Sequence, residues 1–172
     1  LTHPLVRAVS FVGSTPVARA VHLTASTHGK RVQANGGAKN YIVVMPDADV
    51  GKTVEAVMNA AFGCAGERCM AGSSLLTVGD RGRAVMPDLI RAAQSLTVGR
   101  TDVEVQPGMG AVITAAHRER VRGLVDDGER AGARVVADGR GVTVPEAPNG
   151  FYLGATIVED VRTEMKLAQE VV

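Results

Sequence analysis

Short apolar, β-branched runs alternate along this chain with longer stretches whose apolar residues recur at helical spacing, and that alternation restricts the fold more than any other feature. Val6 to Val12 is such a run, closed by Gly13, and reads as a strand. Gly13-Ser14-Thr15-Pro16 follows, with a hydroxyl at the cap position and proline in the first turn, which starts a helix. Val17, Ala20, Val21 and Thr24 carry the helical spacing to about Thr27. Arg31 to Ala34 reads as a second strand, and Asn35 to Asn40, with two glycines, as a tight loop. Strands alternating with helices call for a mostly parallel α/β sheet with flanking helices.

The pattern continues downstream. Tyr41 to Met45 is a nearly continuous apolar run ending at Pro46, the mark of a strand buried on both faces. Asp47 or Asp49 then caps a helix whose Val50, Val54, Val57, Met58, Ala61 and Phe62 form one apolar stripe, which makes Met58 a core residue. Gly63 and Gly66 end it, and Ser73 to Val78 is a strand closed by Gly79-Asp80. A helix is expected from about Pro87 to Leu96, with Leu89, Ile90 and Ala93 inward. Thr101 to Gly110 is a polar loop, and Thr114 caps a long helix with a solvated charged face, running to about Ala131 and closed by Gly132. Ala133 to Ala137 reads as a strand, Val142 to Asn149 as an irregular excursion, and Phe151 to Val158 as a strand broken by Gly154.

Composition limits what such a fold does. The 172 residues are 45% hydrophobic with a net charge of +1, which fits a globular domain and disfavours a nucleic-acid binder or a disordered tail. No apolar run approaches the roughly 18 residues of a membrane span, and the first residues lack a basic stretch followed by a long apolar one. The two cysteines stand five positions apart, match no zinc spacing and suggest no disulfide scaffold, so no metal is expected and a reducing compartment is. The chain starts at Leu1 without a methionine and stops at Val172 without a capping signal, as an internal segment of something longer would.

Two stretches carry candidate chemistry. Residues 1–46 contain Arg7, Arg19, Lys30, Arg31 and Lys39 and no acid. The strand-to-helix turn at Gly13-Ser14 would offer free N–H groups and a positive dipole end to an anion there, although most serine caps bind nothing. The second stretch, Phe62 to Ser73, sets Cys69 among small residues that leave its sulfur reachable, with Arg68 placing a positive charge beside it in sequence. Thiolates are the reactive form of cysteine, and cationic surroundings favour them. The plainer alternative makes Cys69 a buried packing residue. Cys64, at the end of the apolar stripe, is expected to pack, and His3, His22, His28 and His117 are scattered surface or structural residues.

Three segments together resemble the NAD(P)-dependent aldehyde dehydrogenase superfamily. Phe11-Val12-Gly13-Ser14-Thr15 is similar to its cofactor-phosphate turn. Gly37-Ala38-Lys39-Asn40 with Pro46-Asp47-Ala48-Asp49 is similar to its Gly-Gly-Lys segment, and Gly66-Glu67-Arg68-Cys69-Met70-Ala71 to its cysteine loop. The likeness continues through Met109 to Ile113, Gly132-Ala133 and Asn149 to Thr156, so it covers essentially the whole chain. His28 to Asn35 and Arg68-Cys69-Met70 resemble the CoA-acylating, methylmalonate-semialdehyde dehydrogenase branch. Gly36, Glu67 and Ala111 depart from it, standing where methionine, glutamine and proline are expected.

The resemblance implies a Rossmann-like α/β fold, incomplete as a full enzyme. Residues 1–35 would be the C-terminal part of an NAD-binding domain, and residues 36–172 a cysteine-bearing catalytic domain truncated at its C-terminus. It implies Cys69 as the nucleophile, Gly13 and Ser14 under the pyrophosphate of NAD, and Arg68 on the carboxylate of a malonate-type semialdehyde. Hydrolytic relatives place a glutamate base where Asn35 stands, so CoA is implied as the co-substrate that takes the acyl group. The intact enzyme would be a homo-oligomer, cytoplasmic, or in the mitochondrial matrix of a eukaryote. The isolated chain is expected to be inactive, since half the oxyanion site and most of the cofactor bed would lie outside it. Glu170 and Val171 fall on the family's Glu-Glu pair, with valine in the ribose-contacting place, so Glu170 is not assigned to the cofactor. An ordinary hydrolytic aldehyde dehydrogenase, a non-catalytic segment keeping the motifs, and a cysteine hydrolase are the alternatives.

Overall fold

The computed structural model describes residues 1–169 and divides into two compact units, Leu1–Ala38 and Lys39–Val172, against an expected boundary after residue 35. The first unit is a single strand–helix–strand element. β1 (Ala8–Val12) and β2 (Arg31–Asn35) pair in parallel, Ala8 opposite Arg31 through Val12 opposite Asn35, with α1 (Thr15–Thr27) connecting them. Pro16 lies in the first turn of α1, where its missing N–H costs nothing. The helix buries Ala18 and Ala25, with Val21 and Thr24 half-buried, while Val17 and Ala20 are exposed. The inward stripe is therefore one position round from the expected one, because small alanines let the helix lie close to its strands.

The second unit repeats the motif. β3 (Asn40–Val44) and β4 (Gly72–Thr77) pair in parallel around α2 (Val50–Phe62). Asp49 caps α2, its carboxylate accepting from the Lys52 N–H at 2.8 Å. The expected stripe on α2 is half-buried to buried throughout, and Val57 joins Val44, Val85 and Leu89 in the main core. β3 departs from expectation. Val44 is buried, but Tyr41 and Val43 are each more than half exposed, so the apolar run is covered on one face only among the described residues.

α3 (Arg81–Ser95) begins six residues before the expected start and carries Pro87 inside it. The proline points to the exposed side, which removes one helical hydrogen bond without disturbing the buried Val85-Leu89-Ala93 row. Burial of that row, at about 1.5–3 kcal/mol per large aliphatic side chain, outweighs the proline penalty. α4 (Ala115–Arg130) is capped by Thr114, whose hydroxyl accepts from the His117 N–H at 3.0 Å. β5 (Arg134–Ala137) pairs antiparallel with β6 (Ile157–Glu159), and α5 (Lys166–Gln169) follows.

The α/β class with mostly parallel strands and flanking helices is the one expected: among the described residues the strands pair as three two-stranded ladders, two parallel and one antiparallel. One correction concerns the last strand. The strand expected over Phe151–Val158 joins a ladder only from Ile157. Gly154 donates its N–H to the Gly139 carbonyl at 2.8 Å and lies so close to Gly139 that no side chain fits between them. That contact takes the Gly154 N–H out of any ladder. Among the described residues no helix is long and apolar enough to cross a membrane.

Candidate active site

The site is built on the chain reversal between α2 and β4. α2 stops at Gly63, whose φ of −57° and ψ of 133° leave the helix. Cys64 and Ala65 then adopt left-handed backbone, with φ of 53° and 55°, and Gly66 follows at 76°. Only the glycine takes that region without steric cost, so two residues of this reversal are strained. The Glu67 N–H bonds the Cys64 carbonyl at 3.0 Å, and the Ala71 N–H closes a second turn on the Arg68 carbonyl at 3.0 Å. Cys69 occupies the second position of that turn.

Asn40 grips the second turn, and Glu67 braces the chain just before it. Asn40, at the start of β3, donates its side-chain amide to both the Cys69 and the Ala71 carbonyls at 3.0 Å. Just beyond it the β3–β4 register skips Ser73, a bulge that lets β4 leave the turn without breaking this grip. On the other side, the Glu67 carboxylate accepts from the Ile113 N–H at 3.2 Å and stands 3.5 Å from His117 Nε2. Lys39 precedes Asn40, and burial, with a smaller push from Arg120, holds its ammonium pKa below the usual lysine value.

Cys69 is exposed, and its sulfur has no hydrogen-bond partner among the described residues. Cys64 is exposed too, which corrects its expected packing role: its left-handed backbone turns the side chain out of the α2 stripe. Its sulfur accepts from Arg68 Nε at 3.3 Å. Arg68, expected beside Cys69, folds back instead along the end of α2. Its Nη1 donates to the Asn59 carbonyl at 3.4 Å and to Asn59 Oδ1 at 3.3 Å.

The remaining expected residues lie in the first unit. Gly13 donates its N–H to the Asn35 carbonyl at 3.1 Å, tying the β1 exit to the end of β2. Ser14 is the cap of α1, yet its side chain makes no capping bond, unlike Asp49 and Thr114. Thr15 instead directs its hydroxyl to the Gly37 N–H, accepting from it at 3.0 Å. The Asn35 amide is exposed and makes no side-chain hydrogen bond among the described residues. Glu170 lies outside the described residues.

Neither Asn40 nor His117 stands out as a site residue in the sequence. Asn40 reads there as the last residue of a glycine loop. Its one signal is being the polar residue that opens an apolar strand. Glu67 is visible in the sequence as a departure from the family pattern, without a partner.

The aldehyde dehydrogenase family model matches residues 1–172. Malonate-semialdehyde dehydrogenase 1 of Oceanobacillus iheyensis is 47% identical over 170 residues, 99% of this chain and 35% of the relative. The mitochondrial methylmalonate-semialdehyde/malonate-semialdehyde dehydrogenase [acylating] of Bos taurus is 43% identical over 170 residues, 98% of this chain and 31% of its own. A Sinorhizobium meliloti structure complexed with NAD, described as a methylmalonate-semialdehyde dehydrogenase, superposes with a TM-score of 0.92 at 42% identity. It covers 98% of this chain and 34% of that one. The chain thus spans about a third of the length of the relatives it matches. The α/β fold agrees with that structure across nearly every residue, and the family pattern runs from end to end: this chain belongs to the aldehyde dehydrogenase family.

Proposed function

We propose that these residues are part of an NAD-dependent, CoA-acylating dehydrogenase of malonate or methylmalonate semialdehyde. The observation that carries the reading is the Cys69 turn, where the backbone is fixed at two carbonyls while the sulfur is left free. The names of the bovine and Oceanobacillus relatives support the substrate, and the word acylating in the former supports CoA. Both NAD in the Sinorhizobium complex and the mitochondrial bovine name bear on the intact enzyme: a nicotinamide cofactor, and a cytoplasmic or matrix location.

The first unit suits the pyrophosphate of NAD. The first intrahelical bond of α1 runs from the Ala18 N–H to the Ser14 carbonyl at 2.9 Å, so the N–H groups of Thr15 and Val17 precede it. Ser14 does not cap them, and the segment carries no acid to repel a phosphate. The group would lie over Gly13 and Ser14 and meet the N–H groups of Thr15 and Val17. Bound NAD would supply the hydride acceptor, and this chain's own residues would act at the aldehyde carbon and at the substrate carboxylate.

The Cys69 thiolate adds to the aldehyde carbon, forming a carbon–sulfur bond and placing negative charge on the former carbonyl oxygen. The Cys69 N–H helps to hold that oxygen, and fixing the turn's carbonyls keeps the N–H from reorienting when charge develops. Arg68 offers Nη2, which makes no hydrogen bond among the described residues, to the carboxylate at the far end of the substrate. After oxidation a thioester joins the acyl group to Cys69. Asn35 is an amide and takes no proton from water at neutral pH, so hydrolysis lacks a base at that position. The thiolate of CoA attacks the thioester carbon, the bond to Cys69 breaks, and Cys69 leaves as thiolate.

The test uses an intact dehydrogenase carrying these residues. NADH formation from either semialdehyde should depend on CoA and yield acyl-CoA. Asn35→Glu should raise release of free acid without CoA by about a hundredfold, the low end of the range of a positioned general base. Fast turnover of the unmutated enzyme to free acid, indifferent to CoA, would leave a hydrolytic aldehyde dehydrogenase.

A further inference from the structure

Arg68 is adjacent in sequence to Cys69, yet three of its N–H contacts run the other way. Nε reaches Cys64 Sγ at 3.3 Å, and Nη1 reaches both the carbonyl and the side-chain oxygen of Asn59 at 3.4 and 3.3 Å. The floor beneath the guanidinium is Gly63. A Cβ there would stand 2.7 Å from Arg68 Cζ, Nη1 and Nη2, well inside van der Waals contact. Gly63 has φ −57° and ψ 133°, values open to any residue, so the backbone does not require glycine at this position. What requires it is the plane of the guanidinium. The left-handed Cys64 matters for the same reason. Leaving the helix with φ 53° carries its sulfur out of the α2 core and to the Nε edge.

We propose that Gly63, Cys64 and Asn59 form a seat that orients Arg68 for the carboxylate of the substrate, and so act as positioning residues for semialdehyde specificity. The inference rests on the proposed role of Arg68 in binding that carboxylate. A free arginine has about four rotatable side-chain bonds to fix before it meets an anion. A seated one has Nε and Nη1 already engaged and presents Nη2 in one direction. Pre-orientation of this kind favours an aldehyde that carries a carboxylate and does nothing for one that lacks it. The three residues touch no reacting atom.

The experiment compares methylmalonate semialdehyde with propanal in an intact dehydrogenase carrying these residues, and reads the ratio of their kcat/KM values. Gly63→Ala adds one methyl group, suits the observed φ and ψ, and meets only the end of a flexible side chain, so the variant folds and the guanidinium moves. The ratio should fall by about fivefold or more, the scale of one misaligned charge-assisted bond, and the fall should appear in KM for the semialdehyde. Asn59→Ala removes the side-chain acceptor, keeps the carbonyl and adds no bulk, and should lower the ratio in the same sense by about two- to threefold. Loss of activity on both aldehydes alike would mean a merely structural role and overturn the proposal. So would an unchanged ratio in both variants. Arg68→Ala separates the levels. If it collapses the ratio while Gly63→Ala does not, the seat alone is wrong. If Arg68→Ala leaves the ratio unchanged, the carboxylate role of Arg68 fails and the seat falls with it.

Discussion

The reversal between α2 and β4 holds two exposed cysteines five residues apart, and its two ends treat them in opposite ways. At the Cys64 end the backbone is strained into left-handed conformation and the sulfur is engaged by Arg68. At the Cys69 end the backbone carries the bonds, two carbonyls gripped by Asn40, and the sulfur is left alone. Exposure does not distinguish the two thiols. What distinguishes them is which part of the residue its neighbours hold. A nucleophile needs a fixed backbone and an uncommitted side chain, because catalysis depends on groups held in place before the reaction. Only the Cys69 end offers that combination.

The largest expected effect breaks the comparison outright. Cys69→Ser in an intact dehydrogenase should lower kcat by at least about a thousandfold, the usual scale for losing a covalent nucleophile. Brief iodoacetamide treatment followed by peptide mass spectrometry should label Cys69 before Cys64, because the Arg68 side chain lies against the Cys64 sulfur and obstructs approach to it, whereas the exposed Cys69 sulfur has no hydrogen-bond partner among the described residues. If Cys64 is labelled first, or Cys69→Ser retains turnover, the two ends have been assigned the wrong way round.

Much of this arrangement is legible from residues in a row, and the part that is not has a common cause. Helix starts capped by Asp49 and Thr114, the α1 start with Pro16 in its first turn, and the α2 stripe depend on neighbours within a few positions, where spacing and local chemistry act directly. The start of α3 is hidden because Arg81-Gly82-Arg83 reads as loop and Pro87 as a first-turn residue, whereas the buried Val85-Leu89-Ala93 row carries the helix across both. The cysteine-bearing loop and the Gly13-Ser14 turn are recognisable as motifs. The contacts that give the loop its geometry are not. Asn40 reaches carbonyls 29 and 31 positions away, and the Glu67–Ile113 bond spans 46. Such bonds leave no periodicity. Arg68 shows the reverse failure: adjacency to Cys69 suggests a shared environment, but a side chain leaving a turn is free to fold back over the preceding helix.

A middle-sized effect sharpens the comparison at the Cys69 end. Asn40→Ala removes both amide bonds while leaving the cysteine in place, at a stability cost of about 1–3 kcal/mol for the lost hydrogen bonds and their stranded acceptors. With the turn loosened, kcat should fall by about ten- to a hundredfold, because a small displacement of the attacking group is costly. Asn40→Asp should be worse than alanine despite its near-identical shape. It sets a carboxylate against two carbonyl oxygens that now find no donor. Equal kcat values for Asn40→Asp and wild type, measured with saturating semialdehyde, NAD and CoA, would show that the carbonyl grip does not matter to the sulfur.

The smallest effect tests the strain that separates the ends. Ala65 sits at φ 55° and ψ 28°, a region that costs a residue with a Cβ about 1–2 kcal/mol. Glycine at that position removes the strain but widens the conformational freedom of the unfolded chain, a loss of about 0.5–1 kcal/mol. Strain relief outweighs that loss, so Ala65→Gly should stabilise the protein by about 0.5 kcal/mol. Met70, in the Cys69 turn, is 80% exposed and has no positive φ, so glycine there relieves nothing. Met70→Gly should therefore destabilise by about 0.5–1 kcal/mol. The two substitutions lie on the same reversal and should move the urea midpoint in opposite directions. Because both replace an uncharged side chain with hydrogen, the sign of the difference reports the backbone conformation at each end rather than a lost contact. Two shifts of the same sign would mean that the Cys64 end is not strained in solution, and that the sulfur–guanidinium contact has no distorted backbone behind it.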